Sequence, residues 1–441
     1  MSTTEKGMLR RVVGSSVIGS TIEWYDFFLY GVIAGLVFNK LYFPSDDPFI
    51  STLLAYATFA VGFVARPLGG IVFGHFGDKI GRKSMLIITL TIMGISTALI
   101  AVVPTYEKIG IWAPIILIIL RIVQGLGLGG EWGGAVLMTF EHAPLSKRGL
   151  YASFPQIGLS IGLLLSSGVV GLLSAMLPDE AFMSWGWRIA FALSTLLIFL
   201  GLWIRLNVSE SPEFQAVKNH NKESSIPIKD MWRGNVGNVI AGMGARYIDG
   251  VFFNVMGVFS LTYLTNIINV TRSTALIGVS AAAFVMCFFI PFFGHLSDRY
   301  GRTRTYLYGS LITGFSALPA FWLMSNSGGN SLVIWLSIII PFGILYASVY
   351  GPEAALFAEL FDAKVRYTGM SFVYQFSGIF ASGMTPIIAA TLLQMNNNSP
   401  TILTLYVAFS GIVSALSVYW IQRKKSRSKQ TAEEPSEAIP S

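Results

Sequence analysis

The chain has 441 residues, of which 53% are hydrophobic and only 12% charged, about half the ~25% charged fraction of an ordinary soluble domain. A cytosolic globular protein and a disordered chain are both excluded, because the apolar residues gather in runs of about 20 or more, long enough to cross ~30 Å of hydrocarbon as helices. The net charge of +7 lies in short clusters between these runs, so it reads as membrane topology and not as a nucleic-acid surface.

Hydropathy and helix breakers predict spans at 12–38, 51–75, 84–103, 113–140, 149–176 and 186–206, then 236–264, 274–296, 305–325, 331–358, 367–394 and 401–421. Lys6, Arg10 and Arg11 resemble the start of a signal peptide, yet the run that follows is too long and carries two acids, so it is retained as a helix. Alternate loops collect Lys79, Arg82, Lys83, Lys147, Arg148, Arg299, Arg302, Arg304, Lys364 and Arg366, whereas the opposite loops hold Lys40, Lys108, Arg188 and Arg272. This asymmetry predicts both termini in the cytoplasm, and the expected location is a bacterial-type inner membrane. The single cysteine, Cys287, lies within an apolar run and reads as packing.

The expected organisation is a six-helix bundle over 1–206, a polar cytoplasmic linker over 207–232, a second bundle over 233–422 and a cytoplasmic tail over 423–441. Self-comparison supports two copies of one unit. GHFGDKIGRK at 74–83 recurs as GHLSDRYGRT at 294–303, and Glu141 precedes Arg148 as Glu359 precedes Arg366. Parallel repeats place a cavity at their interface near the bilayer midplane. In the repeated loop Gly74 and Gly81 would allow a tight reversal, with Asp78 accepting from a neighbouring helix end or from Arg82. Asp78, Arg82, Glu141, Arg148, Asp298, Arg302, Glu359 and Arg366 are therefore the expected cytoplasmic gate, and Glu353 reads as part of the same inner network.

Gly74, Asp78, Lys79, Gly81, Arg82 and Lys83 resemble the loop signature of the major facilitator superfamily, and Arg121, Gln124 and Gly125 its fourth-helix signature. EWYDFFLYG at 23–31, ARPLGG at 65–70 and RIVQGLGLGGEWGG at 121–134 resemble the metabolite:proton symporter family, and ARYID at 245–249 its shikimate-permease branch. The second loop departs from the pattern at Ser297 and Thr303. The resemblance implies an all-α membrane protein of twelve transmembrane helices in two pseudo-symmetric bundles. It also implies alternating-access transport of a small solute, usually with a proton.

Charges inside the apolar runs are expensive, about 3 kcal/mol each at mid-bilayer, so each should face a cavity or a partner. They are Glu23, Asp26, Arg66, Arg121, Glu131, Arg246 and Asp249. A guanidinium keeps its proton and offers a planar fork to a carboxylate, which makes Arg121, then Arg246, the expected anchors for an anionic substrate. Glu23, Asp26, Glu131 and Asp249 can titrate and are the expected proton carriers. Gln124, Gln156 and Gln375, with Tyr25, Tyr247 and Tyr374, are candidate cavity residues, against interhelical bonding and packing; Trp132 reads as packing.

Other chemistry fails on context. Gly158 to Gly162 spell a nucleophile-elbow string with no surrounding strand, and His75, His142, His220 and His295 map to loops or the linker. Gly125, Gly129 and Gly133 recur every four residues, as helix packing requires, without the strand that dinucleotide binding needs. No metal-ligand cluster, ATP loop, cofactor or obligatory protein partner is evident, so uphill transport would draw on protons. The expected function is proton-coupled symport of a small organic anion, a shikimate-like carboxylate, across the lipid bilayer. The alternatives are efflux of an anionic antibiotic or toxic metabolite, osmolyte symport with Trp24 and Tyr25 on a quaternary ammonium, and a solute receptor.

Overall fold

A computed structural model describes residues 3–433, apart from 47, 208–209, 211–214 and 216–226. Most of the expected linker, including Lys218, His220 and Lys222, and the tail beyond 433 lie outside the described residues. Twelve helices among those described are long and apolar enough to span a membrane. They are α1 (Gly7–Leu41), α2 (Ala60–Ile80), α3 (Arg82–Val102), α4 (Trp112–His142), α5 (Leu145–Met176) and α6 (Asp179–Leu206). The second set is α7 (Asn235–Asn266), α8 (Ser273–Tyr300), α9 (Arg302–Ser325), α10 (Ser331–Ala358), α11 (Arg366–Met395) and α12 (Thr401–Lys424). Helix continues beyond α12 to Glu433, because the polar run after Arg423 holds no Gly or Pro before Pro435.

Each set packs as a bundle, α2 on α4 and α1 on α5 in the first, α9 on α12 and α8 on α10 in the second. The glycine spacing in α4 serves this packing. Added side chains at Gly125 and Gly129 would strike the backbone oxygens of Gly62 and Arg66 in α2, so the two helices lie backbone against backbone. Gly133 does something else: it receives Ser371 and Tyr367 of α11, from the opposite bundle.

The repeated motif is less of a loop than its glycines predict. Helix runs through Gly74 and Asp78 to Ile80, and only Gly81 (φ 125°) breaks the chain before α3 begins. Gly301 (φ 93°) repeats the device between α8 and α9. Gly74 is used for approach instead of reversal, since a Cβ there would lie 2.9 Å from Thr368 Cα.

Asp78 and Asp298 therefore sit on last helical turns, and each caps a helix of the other bundle. Asp78 accepts from the Thr368 amide at 2.9 Å, its hydroxyl at 2.8 Å and the Tyr367 amide at 3.3 Å, at the start of α11. Asp298 accepts from the amides of Gly149 (2.7 Å) and Leu150 (2.9 Å) early in α5. Four otherwise orphaned N–H groups are satisfied across the seam, with the favourable end of each helix dipole turned to a carboxylate.

Arginines brace these caps. Arg82 lies 3.4 Å from Asp78 and 3.5 Å from Glu141, and donates to Ala363 O at 2.9 Å. Arg302 pairs with Asp298 at 3.3 Å and with Glu359. A crossed pairing joins the two copies, for Arg366 reaches Glu141 of the first bundle at 3.1 Å. Arg148 lays its guanidinium 4.5 Å from the centre of the Phe140 ring, which Arg366 and Arg302 approach at 5.5 and 5.8 Å.

Glu210, just past α6, went unnoticed in the sequence as one acid in a polar stretch. Its carboxylate accepts from the amides of Arg82 (3.1 Å) and Lys83 (3.2 Å), capping α3 where Gly81 has no side chain to do so.

Asp78→Asn and Asp298→Asn each replace charge-assisted bonds by neutral ones, a loss of about 1 kcal/mol or more. In a Cys287→Ser background, a cysteine placed at buried Ser371 should react at least fivefold faster with an impermeant maleimide applied to the basic face, and faster still in the double variant. Unchanged labelling would show that these caps do not hold the face shut.

Candidate functional site

In the first bundle the buried charges resolve into separate groups. Glu23 of α1 pairs with Arg66 of α2 at 3.1 Å, and Arg66 also stands 5.6 Å from the Trp24 ring centre. Glu131 of α4 pairs with Arg205 of α6 and accepts from Thr89 at 3.1 Å. Arg205 was missing from the stranded charges although it lies within the predicted sixth span, in the last turn of its helix. Asp26 has hydroxyl partners, Thr97 of α3 at 2.8 Å and Ser194 of α6.

Arg121 is fully buried among α1, α2 and α4. It donates to Gln124 at 2.6 Å, stacks 4.1 Å from the Tyr30 ring centre and occupies the space that Gly62 leaves open. Gln124 passes the chain on to Thr97 at 2.9 Å. These hydrogen bonds are made within the first bundle, as is that of Tyr25, which donates to Ala190 O of α6 at 3.0 Å. Tyr247 is likewise turned into its own bundle, toward Tyr406 of α12 at 2.9 Å.

The second bundle presents a different balance. α7 runs helically through Arg246, whose amide donates to Gly242 O at 3.0 Å and whose carbonyl accepts from the Gly250 amide at 3.3 Å. The guanidinium lies 3.4 Å from Asp249 and 3.7 Å from Glu353 of α10. Glu353 thus belongs with the intramembrane charges and not with the inner ion pairs, because a full turn of α10 still follows it before Ala358. Tyr346 donates to Asp249 at 2.5 Å. Arg246 Nη1 and both Glu353 oxygens are buried without a hydrogen-bond partner among the described residues.

This cluster adjoins the seam. Arg246 lies 3.7 Å from the centre of the Tyr374 ring in α11, whose other neighbour is Trp132 of α4, stacked at 3.7 Å. Trp132 donates its indole N–H to Gln156 at 2.7 Å. Gln156, at the break between two helical stretches of α5, donates to Tyr350 O of α10 at 3.2 Å, and Gln375 of α11 donates to Gly129 O of α4 at 3.1 Å. The two glutamines form reciprocal bonds from bundle to bundle. Trp132 is more than packing, since it joins Gln156 to the Tyr374–Arg246 stack.

The sequence matches the family model described as "Sugar (and other) transporter" over residues 12–240 and that of the Major Facilitator Superfamily over 239–440. It is 39% identical to the shikimate transporter of Escherichia coli K12, across 92% of this chain and 93% of that one. It is 40% identical to the inner membrane metabolite transport protein YhjE of the same strain, across 87% of each. A proline/betaine transporter of Salmonella typhimurium LT2 is 31% identical across 94% of this chain and 84% of its own. The fold matches that of the proton:xylose symporter XylE bound to 6-bromo-6-deoxy-D-glucose, with a TM-score of 0.77 at 18% identity, covering 95% and 96% of the two chains. With twelve helices in two bundles, a duplicated turn motif and relatives named for shikimate and metabolite transport along nearly its whole length, the chain belongs to the metabolite transporters of the major facilitator superfamily and not to the enzymes.

Proposed function

We propose that this transporter couples inward proton flow to uptake of a small organic anion, a hydroxylated or cyclic monocarboxylate of the shikimate kind. It would do so by rocking its two bundles about the Arg246 cluster, in a bacterial-type inner membrane with both termini and the capped face in the cytoplasm. One observation carries the reading: a single guanidinium, Arg246, stands between two buried carboxylates beside the seam, with Nη1 and the Glu353 oxygens making no hydrogen bond among the described residues.

The charge balance supplies the coupling. A substrate carboxylate drawn to Arg246 would be the third negative charge there, and each like pair 4 Å apart repels by about 4 kcal/mol at an effective dielectric near 20. A proton taken up by Glu353 or Asp249 cancels the added charge, so anion and proton enter together far more readily than either enters alone. Asp26 is the second proton site, being held by hydroxyls, whereas Glu23 and Glu131 are each committed to an arginine.

The relatives named for shikimate and for metabolite transport support the carboxylate reading. An osmolyte zwitterion fits less well, because Arg66 already occupies the vicinity of the Trp24 ring that a quaternary ammonium would use.

Proteoliposomes loaded at neutral pH and diluted into acid medium should accumulate labelled shikimate in preference to glycine betaine. Outward movement under the reversed gradient alone would favour export. Arg246→Ala should weaken carboxylate binding at least thirtyfold, and Arg246→Lys less, as expected for loss of a buried charge partner. Glu353→Gln should retain shikimate exchange across the membrane while losing accumulation driven by the pH gradient. Full gradient dependence in that variant would place the coupling elsewhere.

A further inference from the structure

Asp26 ends a hydrogen-bond chain whose direction chemistry fixes. Arginine has donors only, so Gln124 must turn Oε1 toward Arg121, as it does at 2.6 Å. Its Nε2 then faces Thr97 Oγ1 at 2.9 Å, and Thr97, accepting there, gives its one hydrogen to Asp26 Oδ2 at 2.8 Å. Every link points from the guanidinium to the carboxylate, and bonds aligned in this way strengthen one another.

The other carboxylate oxygen, Oδ1, accepts from Ser194. No second hydrogen bond fixes the Ser194 hydroxyl among the described residues, and the carbonyl one helical turn back, Ala190 O, is taken by Tyr25 at 3.0 Å. A protonated Asp26 must place a new O–H. Toward Thr97 it meets a hydroxyl that the Gln124 amide already orients as a donor, with one of its two lone pairs used; toward Ser194 it meets one that no other bond orients among the described residues, free to rotate and accept.

We propose that Gln124 and Thr97 are positioning residues that transmit the placement of Arg121 to Asp26, and that Ser194 is the partner whose hydroxyl reverses when Asp26 gains a proton. This rests on Asp26 being a proton site. When Arg121 moves away, Gln124 loses the contact that orients its amide, Thr97 loses its fixed sense, and the carboxylate loses its aligned donor. The ionisable groups that act on Asp26 directly are Arg121 of α4 and Tyr25 of α1; Glu23 and Tyr30 of α1, Arg66 of α2, Glu131 of α4 and Arg205 of α6 lie elsewhere on these helices. α3 and α5 carry theirs, Arg82, Lys83, Lys147, Arg148 and Tyr151, near their first turns.

The test needs no substrate. A pH titration of the purified full-length transporter by infrared difference spectroscopy follows the carboxylic-acid band that vanishes in Asp26→Asn. Thr97→Val should move its midpoint up by about one pH unit, tenfold in proton affinity, and Thr97→Ser should restore it. Gln124→Leu should shift it in the same direction by less. Ser194→Ala removes a partner from both protonation states, so it should change the band's frequency while moving the midpoint less than Thr97→Val does. A midpoint unmoved in Thr97→Val, or moved as far in Ser194→Ala with the frequency unchanged, would overturn the chain alone. If no band depends on Asp26, its role as a proton site falls, and the chain with it.

Discussion

In hydrocarbon no polar group can turn to water, so each buried charge must be answered by another part of the protein. That constraint organises this molecule. In the first bundle it yields a balanced set: Glu23 with Arg66, Glu131 with Arg205, and Asp26 joined to Arg121 through Gln124 and Thr97. In the second, among the described residues, Arg246 is the one cation paired with Asp249 and Glu353, and the Tyr346 hydroxyl also serves Asp249. The imbalance sits at the boundary with the other bundle, where Tyr374 stacks on Trp132 and a rocking motion would alter its surroundings.

The same constraint explains how two bundles can hold together and yet part. Asp78 and Asp298 satisfy helix-start amides that would otherwise be orphaned, and Gln156 and Gln375 satisfy carbonyls. Each joint is a small set of polar contacts set in a seam where α2 meets α11 and α5 meets α8 and α10. Such contacts are individually modest and directional, so they define one closed arrangement within an apolar cluster that runs through both bundles, from Trp132 and Phe140 to Tyr350 and Tyr374.

Much of this was legible in the sequence, because the signals were local or repeated. Span length fixed the helix count, and the copies at 74–83 and 294–303 revealed the duplication. The stranded charges named both clusters apart from Arg205, which passed unremarked, and Glu353, set aside for its nearness to a predicted helix end. Partnerships were illegible for a different reason: periodicity tells which face a residue occupies but not which helix lies opposite. Arg121, the first choice for a substrate anchor, lies fully buried beside Gln124 and Tyr30, and Arg366 meets Glu141 across the seam. Glycines misled in the same way. Gly74 reads as a turn residue on its own, and only the approach of Thr368 shows why a side chain is missing there.

Both glutamine joints and both aspartate caps end on main-chain atoms of the opposing bundle: the carbonyls of Tyr350 and Gly129, and the amides of Gly149, Leu150, Tyr367 and Thr368. A partner of that kind is supplied whatever residue stands at the position, provided the helix keeps its course. After an ancestral duplication, mutational drift on the receiving side could then recolour the cavity for new cargo while the hinge between the halves persisted unaltered.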